Sequence, residues 1–167
     1  MRGIGRIVGV MIATLCLLYG AEPAAAATKV KRIWPREFLD LDVSQSSFRS
    51  PESIGNVFGS SAEFHAPLIL PLGSRITKVV SWSNGTGQSS RNGWVMRYGP
   101  GVTGNFVATG NDNSVNPALE PNGKEWTLYS TPDGIGNIQK GFRYDVHLYI
   151  NGTDARVWAV DVTYSTR

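Results

Sequence analysis

Phe142-Arg143-Tyr144-Asp145-Val146-His147-Leu148-Tyr149-Ile150 is the stretch on which the fold turns. Residues 142, 144, 146, 148 and 150 are apolar or aromatic. Because a strand sends alternate side chains to opposite faces, these five share one face, and Arg143, Asp145, His147 and Tyr149 share the other. Trp158-Ala159-Val160-Asp161-Val162-Thr163-Tyr164 repeats the pattern, with Trp158, Val160, Val162 and Tyr164 together. The segment between them, Asn151-Gly152-Thr153-Asp154-Ala155, is made of turn formers. The two stretches therefore predict a β-hairpin.

A two-residue Asn-Gly turn would set the apolar side chains of one strand opposite the polar ones of the other. Pairing Ile150 with Arg156 instead sets Leu148 against Trp158, Val146 against Val160 and Tyr144 against Val162, which calls for an odd-numbered loop or a bulge. The same register would bring Asp145 opposite Asp161 on the outer face, near Arg143 and His147. Opposed carboxylates repel unless a cation sits between them, so Arg143, Arg156 or a divalent metal ion is expected there, with Arg143 reaching Asp161 as the plainer solution.

Working outward, further strands are expected at 38–43, 63–70, 75–83, 92–98, 104–108 and 126–131. Turn signals separate them: Pro71-Leu72-Gly73, Asn84-Gly85-Thr86-Gly87, Gly99-Pro100-Gly101, Pro121-Asn122-Gly123 and Pro132-Asp133-Gly134. Pro67 marks its strand as an edge strand or a broken one. No segment carries a sustained helical period. Seven or eight short strands with dense turns describe an all-β antiparallel β-sandwich, jelly-roll-like, in a single domain.

The first residues read as a secretory signal. Arg2 and Arg6 precede an apolar run from Ile7 to Leu18, and Ala24-Ala25-Ala26-Ala27 fits the small-residue rule for cleavage. The run is shorter than the roughly 20 residues that span a bilayer. Residues 1–27 are thus expected to be a cleaved signal peptide, 28–37 a flexible or extended N-terminal arm and 38–167 the sandwich. Cys16 is the only cysteine, and Leu15 before it argues against lipid attachment. Without it the remaining 140 residues hold together by burial alone. Export without disulfides points to a bacterial periplasmic or extracellular protein. The balance of 14 basic and 12 acidic residues, interspersed, gives no basic stripe for tracking phosphates, and no nucleotide-binding motif occurs.

Catalytic constellations are missing. Only His65 and His147 offer imidazoles, neither in a nucleophile motif, and no G-x-S-x-G sequence is present. A small secreted hydrolase is the least favoured reading. Structural calcium, bound by oxygens of Asn111, Asp112 and Asn113 or of Asp40 and Asp42, is a weak expectation, because Asn and Asp also crowd into turns; the weak metal candidates are Asp112, Asp145 and Asp161. Aromatic content is the stronger signal: five Trp, five Tyr and six Phe follow the signal segment. Exposed rings give flat platforms for sugars, peptides or neighbouring subunits.

Trp94, Trp126, Tyr149 and His147, with Asn111, Asp112 and Asn113 from the long 109–124 connection, are the candidate binding residues. The expected function is a non-catalytic module that recognises an extracellular glycan or protein. The alternative is an assembly subunit of a surface layer, matrix or fibre, self-associating through sheet edges or aromatic patches.

Overall fold

The computed structural model describes residues 26–41, 47–49, 53–56, 61–85, 90–112, 122–129, 136–152 and 155–166. Within them lie twelve strands in two antiparallel sheets. The strands are β1 (Ala27–Ile33), β2 (Leu39–Asp40), β3 (Ser47–Arg49), β4 (Ile54–Asn56), β5 (Ser61–Pro67), β6 (Arg75–Asn84), β7 (Ser90–Gly99), β8 (Val102–Asp112), β9 (Asn122–Glu125), β10 (Thr127–Leu128), β11 (Arg143–Asn151) and β12 (Arg156–Thr166). Sheet A runs β3-β4-β12-β6-β9, with β1 also on β12; sheet B runs β10-β8-β7-β11-β5-β2. A single 3₁₀ turn, Pro35–Glu37, joins β1 to β2. The all-β sandwich expected from the alternation is what the chain forms. Residues 1–25, Cys16 among them, lie outside the described residues, and Ala27, expected as the last residue of a signal peptide, opens β1.

The core fills the space between the sheets. Tyr144, Val146, Leu148 and Ile150 from β11 meet Val157, Val160 and Val162 from β12, with Phe64, Val79 and Val95 beside them, all buried. Alternation thus identified the inward face of β11 correctly and, apart from Trp158, that of β12. It did not identify the partners. β11 pairs with β5 on one side and β7 on the other, whereas β12 pairs with β6 on one side and with β4 and β1 on the other. The expected hairpin does not form, and the connection carries the chain from one sheet to the other. Both edges of each strand are occupied, so neither has a free row of backbone groups to offer its neighbour. Gly152, at φ 94, takes the left-handed conformation that begins the crossing.

One smaller difference follows from pairing. Trp158 was expected on the core face, but a bulge between Val157 and Ala159 turns Val157 inward instead. Trp158 is half-buried, and its Nε1 donates to Asn84 Oδ1 at 3.4 Å. Within the stretch 28–37, expected as a flexible or extended N-terminal arm, the chain is extended as β1, which pairs along β12 from Ala27–Thr166 to Ile33–Val160. Arg32 fastens it there with Nε and one terminal nitrogen on the two oxygens of Asp161, at 2.7 and 2.6 Å.

Candidate functional site

The outer face of sheet B is where the chain gathers aromatic, amide and hydroxyl side chains. β11 is buried on both sides from Tyr144 to Leu148, so its outward residues Asp145 and His147 lie under neighbours rather than in water. His147 pairs across to Trp94 on β7 and to His65 on β5. Its ring stacks on the Trp94 indole, with centroids 5.7 Å apart and planes 12° from parallel. Nε2 lies 3.1 Å from Tyr98 Oη, and Nδ1 lies 3.3 Å from Glu63 Oε1. Burial is the main influence on this imidazole and holds its pKa below the ordinary value, against the pull of Glu63 and Asp145. The neutral ring thus props one side of Trp94, held by partners at both nitrogens. Burial likewise pushes the Tyr98 phenol up, so it remains a hydroxyl.

Beyond Trp94, toward β8 and β10, the face opens into a groove of about 490 Å³. Trp94 and Phe106 supply its rings, and Asn92, Asn111, Thr109 and Thr127 supply amides and hydroxyls. Phe106 is 49% exposed and Tyr129 45% exposed. Tyr129 Oη lies 3.2 Å from Thr109 Oγ1, which draws it to the same edge. Lys124 and Glu125, from β9 of sheet A, stand at the rim, with Glu125 paired to Lys78 at 3.0 Å. Such an arrangement suits a ligand with flat apolar faces and hydroxyls at its edges.

The sequence-derived candidates divide. Trp94, His147, Tyr149 and Asn111 all belong to this outer face, with Tyr149 opposite Asn92 and Asn92 opposite Asn111. Trp126 does not. It is 4% exposed, its Nε1 donates to Ser81 Oγ at 3.0 Å, and its ring fills the space over the paired glycines Gly93 and Gly110. Asp112 is also buried, accepting from Ser83 Oγ at 2.7 Å and lying 3.4 Å from an Arg91 nitrogen. Its carboxylate neutralises an inward-facing arginine, and so it does not serve as a surface ligand. Asn113 and Asp42 lie outside the described residues.

The expected Asp145–Asp161 pair is not formed, because the two residues belong to different sheets. Asp145 is bound by Arg143 at 2.7 Å. Asp161 accepts from Arg32 and from Trp82 Nε1, at 2.8 Å for the indole. Burial alone would raise the Asp161 pKa, but those bonds and the Arg32 charge outweigh it and bring it below the usual range. Among the described residues, no three His, Cys, Asp or Glu side chains converge as a metal-binding group. Phe106, Asn92 and Tyr98 were not singled out from the sequence. Their signal is register, which places them beside Trp94 and His147 only once the sheet order is known.

No family model and no curated protein sequence matches the chain. Among solved structures, a carbohydrate-binding module of the β-sandwich superfamily aligns at 11% identity and TM-score 0.40, covering 87% of this chain and 57% of its own. TmCBM61 in complex with β-1,4-galactotriose aligns at 13% identity and TM-score 0.35, covering 84% of this chain and 88% of its own. A Stig cyclase from Fischerella sp. TAU aligns at 13% identity and TM-score 0.39, covering 89% and 80%. This chain spans little more than half the length of the first. The three mix binding modules with an enzyme, and likeness at this level carries no argument about what this chain does.

Proposed function

We propose that the chain is a secreted, non-catalytic module that binds a glycan on the outer face of sheet B. The observation that carries the reading is the open groove lined by both Trp94 and Phe106 together with Asn92, Asn111, Thr109 and Thr127. Sugar rings present C–H faces to aromatic rings and hydroxyls to amides, and this groove offers both kinds of partner on rigid strands rather than on loops. Retention on insoluble polysaccharides, compared between wild type and Trp94→Ala, tests it. Retention by the wild type that the variant loses supports the reading. Equal behaviour of the two overturns it.

Assembly has a specific observation of its own. Ile69 and Leu72 are 81% and 67% exposed beside a second, mostly apolar groove that also includes Phe142. Exposed apolar clusters of this kind mark association surfaces. Light scattering across a hundredfold range of concentration distinguishes the readings: growth into oligomers that Ile69→Ser abolishes favours assembly, and a constant monomer removes it.

A further inference from the structure

Register brings one row of side chains across all six strands of sheet B. Leu39 lies beside His65, His65 beside His147, His147 beside Trp94, Trp94 beside Thr109 and Thr109 beside Thr127. Neighbouring strands lie about 4.8 Å apart, so the row runs roughly 24 Å at right angles to the strands. A second row, Glu63, Tyr149, Asn92 and Asn111, runs parallel to it one step along. The groove at Trp94 is therefore one end of a longer track.

Two polar atoms along this track are buried without a hydrogen-bond partner: His65 Nδ1 and Asn92 Oδ1. Folded chains leave few such groups unpaired, because each carries the cost of lost solvation. These two share the outer face, on β5 and β7 with β11 between them. They are at least two strand spacings apart, roughly 10 Å. One sugar ring seated against Trp94 lies beside Asn92 alone, since Asn92 and Trp94 line the same groove. A chain of rings running across the strands meets both.

Charge narrows the class. Arg143 is paired with Asp145 and Glu125 with Lys78, the neutral His147 leaves Glu63 its negative charge, and Lys124 at the rim is the one cation among the described groove residues. Hydroxyl-bearing ligands need no fixed countercharge, whereas a polyanion needs one at each repeat. We infer that the face takes an internal stretch of a neutral polysaccharide, laid across the strands along the row from His65 through Trp94 to Thr109. This inference rests on the glycan-binding reading above.

The test is isothermal titration of the protein with neutral gluco-, manno-, xylo- and galacto-oligosaccharides, from monosaccharide to hexasaccharide, with polygalacturonate as the acidic comparison. The expected result is one series in which the hexasaccharide binds at least about tenfold tighter than the disaccharide, equivalent to one or two added hydrogen bonds or ring contacts. Reducing the terminal sugar should leave that affinity unchanged. His65→Ala should weaken the hexasaccharide about fivefold and leave the disaccharide as it was, which also shows that the variant is folded. Equal affinity across the ladder overturns the chain-spanning inference and leaves glycan binding intact. Binding of polygalacturonate alone overturns the neutral class. Binding of no glycan overturns the inference together with the reading beneath it.

Discussion

Gly110→Ala places a methyl group where an indole already sits. An ideal Cβ at Gly110 would lie 2.1 Å from Trp126 Cδ1, and one at the cross-strand partner Gly93 would lie 2.4 Å from Cζ2. No carbon contact survives at that separation, so the ring must shift, yet Trp126 is tied to Ser81 and its backbone N–H donates to Val79 at 2.9 Å. Overpacking of this kind costs about 1–3 kcal/mol. For a domain near this size that lowers Tm by roughly 3–12 °C. Trp126→Ala alone should cost about 3–5 kcal/mol as a large-to-small core change.

The diagnostic quantity is their coupling. With the indole gone there is nothing for the new methyl to meet, so Gly110→Ala should cost close to nothing in the Trp126→Ala background. Urea unfolding followed by far-ultraviolet circular dichroism on the four proteins of the cycle reads this directly. A coupling of about 1–3 kcal/mol is expected. Additivity within about 0.5 kcal/mol would refute the argument that paired glycines exist here to seat the ring.

Three further outcomes follow from the same structure. Trp94→Ala should reduce glycan affinity at least about tenfold, the usual scale for a central aromatic contact, with folding retained by circular dichroism. Asp161→Asn should cost about 1 kcal/mol, as expected for a partly exposed but bidentate pair, and should speed amide exchange in 27–33; unchanged exchange there would refute the view that Arg32 fastens β1. Because the His147 pKa is lowered in the folded state, the unfolded chain binds the proton first. The contribution of the neutral ring is complete above the ordinary value of 6.5 and is lost as pH falls through the folded value. Urea midpoints measured from neutral pH downward should decline over that window, and His147→Gln should flatten the decline; an unaltered slope would refute it.

Much of the fold was legible because burial has a period. The expected strands at 75–83, 92–98 and 104–108 sit inside β6, β7 and β8, and the inward set of β11 was right residue by residue. What periodicity does not carry is pairing. Asn151-Gly152 reads as a hairpin turn, yet here it leads from one sheet to the other, so the Asp145–Asp161 pair inferred from it had no basis. Trp126 was misread for a related reason. An isolated Trp flanked by polar residues looks exposed, and its burial depends on Gly93 and Gly110 meeting across the successive strands β7 and β8, outside the segment that carries the Trp. Interior strand glycines do signal close approach, and that was the available clue. Phe106 and Asn92 joined the site through cross-strand register, which no single-strand pattern contains.

Indole N–H resonances offer the most direct test of where a ligand sits, because the five tryptophans sample different surfaces. Trp94 stands on the outer face of sheet B, Trp126 lies in the core, and Trp34 and Trp82 flank Arg32 on the outer face of sheet A. Two-dimensional nitrogen–proton spectra should be recorded on the labelled protein while adding the tightest-binding neutral hexasaccharide. The account predicts that the Trp94 indole and the Asn92 and Asn111 side-chain amides shift and saturate together, while Trp34 and Trp82 hold their positions. Saturating shifts at Trp34 and Trp82 with Trp94 unmoved would place the ligand on the opposite sheet and contradict the central claim.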